Sequence, residues 1–120
     1  MYSERVLDYF HHPRNVGEIP GAASAVEVSN PVCGDVMKLS ALLENGRVSL
    51  ARFKVEGCIP AVACGSWLTE HMLGRTVAEL GAVTAEEIEA GLGGLPTASR
   101  HAGALAAAAL RRWLELAGRE

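Results

Sequence analysis

Asn45-Gly46 constrains this chain more than any other pair of neighbours in it. A type I′ turn needs positive φ at both central positions, so Asn-Gly between two alternating runs dictates an antiparallel hairpin. In residues 36–43, Met37, Leu39, Ala41 and Leu43 share one face while Lys38 and Ser40 take the other. Residues 48–55 start with Val48 and Leu50 inward and finish with Phe53 and Val55 inward, a change of phase that predicts a bulge near Ala51. Residues 26–28 supply a further short strand. The sheet is therefore predicted as a three-stranded antiparallel meander.

The remainder has helical periodicity. Residues 2–12 predict a short helix with Ser3 as N-cap and Val6, Leu7 and Phe10 as its apolar face, ended by Pro13. Pro60 suits the first turn of a helix reaching about residue 73, and Gly74 is a fitting stop. Two short helices follow, over 76–80 and 84–90, the second opened by a capping box from Thr84 to Glu87. An Ala-rich helix over 97–117 carries Leu105, Ala109, Trp113 and Leu116 on one stripe, which His101 extends. With 120 residues, 49% of them apolar, the chain has material for one core. The expectation is a single α+β domain over 1–120, with the helices packed on one face of the sheet.

Charge excludes one class of partner. The formal net charge is -3 and no basic cluster is longer than Arg111-Arg112, so the footprint of a nucleic-acid binder is missing. No apolar run approaches the roughly 20 residues that span a bilayer. The opening Met-Tyr-Ser-Glu-Arg lacks the apolar centre of a secretory signal, which leads to the expectation of a cytoplasmic protein. Three cysteines, an odd number, do not make a disulfide framework in such a compartment.

The chemistry sits at three places. Cys33 and Asp35 flank Gly34 in a Pro/Gly turn just before a strand. Cys58 lies where a strand gives way to a helix, and amides at a helix start are expected to favour its thiolate. His101 stands near the start of the last helix. Thiolate and imidazole donors suit zinc or a small iron–sulfur cluster and not magnesium or calcium. The long gaps from Cys33 to Cys58 to His101 call for a site closed by tertiary structure, unlike the paired knuckles of a zinc ribbon. Cys58 and His101 as nucleophile and base would make an enzyme, yet the sequence suggests neither an oxyanion element nor a substrate pocket.

Four stretches resemble the IscU family, which includes the N-terminal domain of NifU: Tyr2-Ser3-Glu4-Arg5-Val6, Pro13-Arg14-Asn15-Val16-Gly17, Cys33-Gly34-Asp35-Val36-Met37-Lys38-Leu39 and Ala51-Arg52-Phe53-Lys54-Val55-Glu56-Gly57-Cys58. Thr69-Glu70, Gly74-Arg75-Thr76 and Leu95-Pro96 followed by His101 keep the family's order. The resemblance implies a scaffold, not an enzyme. On it a labile [2Fe–2S] cluster is assembled from iron and from sulfur supplied by a cysteine desulfurase, then passed to acceptor proteins. It implies Cys33, Asp35, Cys58 and His101 as ligands, and a monomer or weak homo-oligomer.

The chain departs from that pattern in two places. The family's third cysteine, generally the main sulfur acceptor, is replaced by Ala102, which puts assembly by the usual route in doubt. Leu95-Pro96-Thr97-Ala98-Ser99 stands where relatives served by an Hsp70-type chaperone have Leu-Pro-Pro-Val-Lys, so that partner is not carried over. Cys64 has two readings: a core residue among Ala61, Val62 and Leu68, or a substitute for the missing thiolate beside Cys33, Cys58 and either Asp35 or His101. Three functions stay open: a cluster scaffold or carrier, a zinc-binding sulfur acceptor or desulfurase modulator, and a paralogue that acts only by protein interaction.

Overall fold

Asn45 and Gly46 have φ of 54° and 80°, the pair of positive values the turn demands. They join β2 (Val36–Glu44) to β3 (Arg47–Glu56) in a computed structural model that describes residues 2–21, 25–31 and 34–117. β1 (Ala25–Ser29) pairs antiparallel with the other side of β2, giving the order β1-β2-β3. The β2–β3 register shifts between Leu42↔Leu50 and Leu43↔Val48. Ser49 is thus the extra residue, so the bulge lies two positions before Ala51. It turns Ala51 into the core with Val48 and Phe53 and leaves Leu50 only half-buried, correcting the inward place expected for Leu50.

α1 (Glu4–His11) begins at Ser3, whose hydroxyl accepts from the Val6 amide. Its buried residues are Val6 and Tyr9, not the expected Val6, Leu7 and Phe10. Tyr9 can face inward because its hydroxyl donates to Glu70 at 2.5 Å and the Arg14 guanidinium lies 4.1 Å above its ring. α2 (Ile59–Met72) has Pro60 in its first turn, and Gly74, at φ 82°, lies just past its end. A Cβ on Gly65 would come within 2.4 Å of the Phe53 ring, so only glycine lets α2 lie this close on β3.

α3 (Val77–Leu80) and α4 (Ala85–Gly91) follow. The complete reciprocal capping box is at Thr76 and Glu79; at Thr84 the side chain accepts from the Glu87 amide. The last helix starts later than predicted. Residues Thr97–Ser99 form a 3₁₀ turn and α5 runs over Arg100–Ala117. Leu105, Ala109 and Trp113 of the predicted stripe are buried, joined by Ala102, Ala106 and Leu110. Leu116 is only partly buried against the core. The helices cover one face of the sheet, and none in the described residues is long and apolar enough to cross a membrane.

Candidate metal centre

Strand register brings two of the candidate ligands together. Val36 pairs with Glu56, so the residues just outside that pair, Asp35 on one side and Gly57-Cys58 on the other, leave the sheet side by side. The Asp35 carbonyl accepts from the Asn30 amide at 2.8 Å, and Gly34, at φ 78°, closes the turn with its amide on the Asn30 carbonyl, also at 2.8 Å. Gly57 has a steric role that no sequence pattern announced. A Cβ there would meet Asp35 Cγ at 2.6 Å and Oδ1 at 2.7 Å, so the Asp35 carboxyl occupies the space its missing side chain leaves.

Cys58 is the N-cap residue of α2, its carbonyl accepting from the Ala61 and Val62 amides at 3.1 and 3.2 Å. His101 enters from the second position of α5. The Ala98 carbonyl, presented by the 3₁₀ turn, lies 3.1 Å from its Nδ1. A carbonyl can only accept, so Nδ1 carries a proton, which leaves Nε2 as the nitrogen that a metal would take. Sequence reading missed Ala98 because the contact is made by its backbone, which no residue type marks.

The three donors converge on one point. The Cys58 thiol donates to Asp35 Oδ2 at 3.1 Å, Cys58 Sγ is 3.7 Å from His101 Nε2, and that nitrogen is 3.6 Å from the same Oδ2. A tetrahedral ion bound by sulfur, nitrogen and oxygen would set these edges at about 3.4–3.6 Å. The three donors therefore stand within roughly half an ångström of the spacing such an ion would need. Asp35 is buried, and Cys58 and His101 are half-buried. The arrangement is convergent, unlike a nucleophile–imidazole–carboxylate relay, in which the carboxylate holds the far ring nitrogen. Here Asp35 and Cys58 are both on the Nε2 side, and a backbone carbonyl holds Nδ1.

Electrostatics correct one expectation. Burial pushes the Cys58 thiol up from its ordinary value, and the hydrogen bond to the Asp35 carboxylate adds to this; the Ala61 amide pulls the other way and does not prevail. The helix start alone does not secure a thiolate. The thiol donates its proton toward the carboxylate, where a cation would take over its role, so metal capture would release a proton.

Cys33 lies outside the described residues. Cys64 is fully buried in α2, with its thiol pushed up to about 12 chiefly by burial. It is not among the three residues whose donor atoms all lie within 4.8 Å of one another. Ala102, next to His101, is fully buried. His71 stacks on Trp67 with ring centroids 4.5 Å apart and pairs with Glu87 at 3.4 Å, apart from the centre.

A family model, NifU-like N terminal domain, matches residues 1–115. The chain is 42% identical over 112 residues to the iron-sulfur cluster assembly scaffold protein IscU 1 of Archaeoglobus fulgidus, covering 93% of this chain and 73% of that one. It is 39% identical over 118 residues to the IscU scaffold protein of Haemophilus influenzae, covering 92% and 90%. A solved N-terminal NifU-like protein from Brucella abortus shares the fold, with a TM-score of 0.70 at 18% identity over 94% of each chain.

Proposed function

The chain belongs to the NifU-like N-terminal domain family, and from that premise we propose that it is an iron–sulfur cluster assembly scaffold whose cargo is held by Cys33, Asp35, Cys58 and His101. The observation that carries this reading is the convergence of Asp35, Cys58 and His101 donors at 3.1–3.7 Å from three separate elements. A carboxylate and an imidazole beside two thiolates hold a cluster less firmly than four thiolates would, which favours passing it on. Sulfur comes from a cysteine desulfurase and the finished [2Fe–2S] cluster goes to acceptor proteins. With Ala102 beside His101, the cysteines left to receive sulfur at the centre are Cys33 and Cys58. Cys64 serves as a core residue, since its buried, protonated thiol is a poor ligand.

A second reading is zinc binding with sulfur acceptance. It is supported by how closely the three edges match those around a single tetrahedral ion, with Cys33 as fourth ligand. Anaerobic reconstitution with ferrous iron, sulfide and thiol, followed by metal analysis, separates the two. The scaffold reading expects visible charge-transfer bands that Cys58→Ala and His101→Ala each weaken, and slower transfer to an apo-ferredoxin from Asp35→Ala. Stoichiometric zinc that iron and sulfide do not displace would replace this reading with the second. Bands of equal strength in Cys58→Ala would refute both.

A further inference from the structure

The two edges of the sheet are finished differently. On β3 the outward Phe53 amide donates to the Asn15 carbonyl at 2.9 Å, and the Phe53 carbonyl accepts from the Gly17 amide at 2.8 Å. Val48 exchanges bonds of 2.9 Å with Gly74 and Arg75, and the Arg52 guanidinium donates to the Ala51 carbonyl at 2.8 Å. A bare strand edge is a template for another strand, and proteins ordinarily block it. β3 is blocked near its start and through its middle.

β1 is left open. The bond from the Asn30 amide to the Asp35 carbonyl marks that pair as a hydrogen-bonded one. Strict alternation along an antiparallel ladder then turns the amides and carbonyls of Ala25, Glu27 and Ser29 away from β2. The same alternation correctly turns Phe53 outward on the opposite edge. Among the described residues no strand, bridge or loop bonds to these groups of β1.

A cleft of 440 Å³ runs along this edge, between residues 27–29 and a stripe of α5 made of Ala108, Arg111, Arg112 and Glu115. Arg111 and Arg112 are exposed and enter no ion pair among the described residues. Two adjacent guanidinium groups without an ion pair among the described residues stand out in a chain of net charge -3. Glu27, on the strand itself, is engaged by Lys38 at 3.8 Å.

We infer that the outer edge of β1 binds an extended acidic segment of a partner protein, which adds a fourth strand to the sheet. Main-chain bonds to Ala25, Glu27 and Ser29 supply the pairing, and carboxylates at alternate positions, on the α5 side of that segment, meet Arg111 and Arg112. The docked segment ends beside the loop that carries Asp35, so this partner lies next to the metal centre without occupying it. A second copy of the chain fits less well, because two-fold pairing of β1 with itself brings the two arginine pairs together.

The test uses the full chain and a fluorescent six-residue peptide alternating glutamate and threonine, with its lysine–threonine counterpart. The glutamate peptide should bind and slow hydrogen exchange at the Glu27 and Ser29 amides; the lysine peptide should do neither. Arg111→Ala/Arg112→Ala should weaken binding about fivefold to tenfold, as expected for two exposed pairs. Glu27→Pro removes an outward amide without touching the β2 ladder, so it should abolish binding while zinc affinity at the centre stays unchanged. Should that variant fail to fold, Arg111→Glu/Arg112→Glu decides instead by reversing the preference toward the lysine peptide. Equal binding of both peptides, no binding of either, or unchanged affinity in the arginine variants would overturn the inference. So would a concentration-dependent dimer that protects the β1 amides, since the occupant would then be a second copy.

Discussion

Gly57→Ala should damage the metal centre far more than the fold. The added Cβ falls 2.6 Å from Asp35 Cγ, 2.7 Å from Oδ1 and 3.0 Å from Cβ. Carbon atoms pack at about 3.5 Å, so the carboxyl must retreat by about 0.9 Å. Gly57 is not among the glycines with positive φ, so alanine meets no backbone strain and the cost falls on Asp35. Ligand distances in a metal site tolerate only about 0.2 Å. A carboxyl displaced several times that far leaves the shared point, and zinc or ferrous affinity should fall about 10- to 100-fold. Stability of the metal-free protein should drop by about 1–3 kcal/mol, the usual range for one surplus methyl group. Affinity is read by competition with a chromophoric chelator, and stability by urea unfolding without metal. In an Asp35→Ala background both the displaced ligand and the closest clash are gone, so Gly57→Ala should cost little further affinity. Affinity of the single variant within about twofold of the parent would refute the argument, as would an equal further loss in the Asp35→Ala background.

Other expectations follow from neighbouring features. Cys64→Ala should lower stability by about 1 kcal/mol through a small cavity while leaving metal content unchanged, and a fall in bound metal would make Cys64 a ligand after all. In the metal-free protein His101 should show the Nδ1-protonated tautomer in long-range proton–nitrogen correlation spectra; an Nε2-protonated ring would mean that the Ala98 carbonyl does not orient it. Burial lowers the pKa of His71, Arg75 adds to this and Glu87 opposes it. The folded state therefore binds fewer protons there than the unfolded state, and stability should be lost as pH falls below about 6.5. His71→Gln should flatten that acid slope and Glu87→Gln should steepen it, both read from urea midpoints across about pH 5 to 7.5; unchanged slopes would count against the assignment.

Much of this was legible in the residues because it rests on local chemistry. Asn45-Gly46 fixed its hairpin, Ser3 its cap and Pro60 its helix start, since each acts through its own backbone or a neighbour within three positions. Errors arose where distant partners chose between locally equal options. Tyr9 displaced Leu7 and Phe10 from the buried face of α1 because Glu70, 61 positions along the chain, satisfies its hydroxyl, and Arg14, just past the helix, covers its ring. The bulge moved to Ser49 because cross-strand packing decides which residue is expelled. The Cys58 thiol lost the advantage of its helix start because the Asp35 carboxylate and burial act on the same atom.

What the sequence determined by itself was the supply of donors and the elements that carry them: a carboxylate before one strand, a thiol after the next, an imidazole at the head of the last helix. Only the tertiary structure decided that they meet. The Val36↔Glu56 pair sets Asp35 beside Cys58, Gly57 leaves room for the carboxyl, and α5 delivers His101 with its free nitrogen turned toward both. The division has a plain cause. Turn and cap preferences are energies of one or two residues, whereas a ligand cluster exists only as distances between groups that the chain separates by dozens of positions.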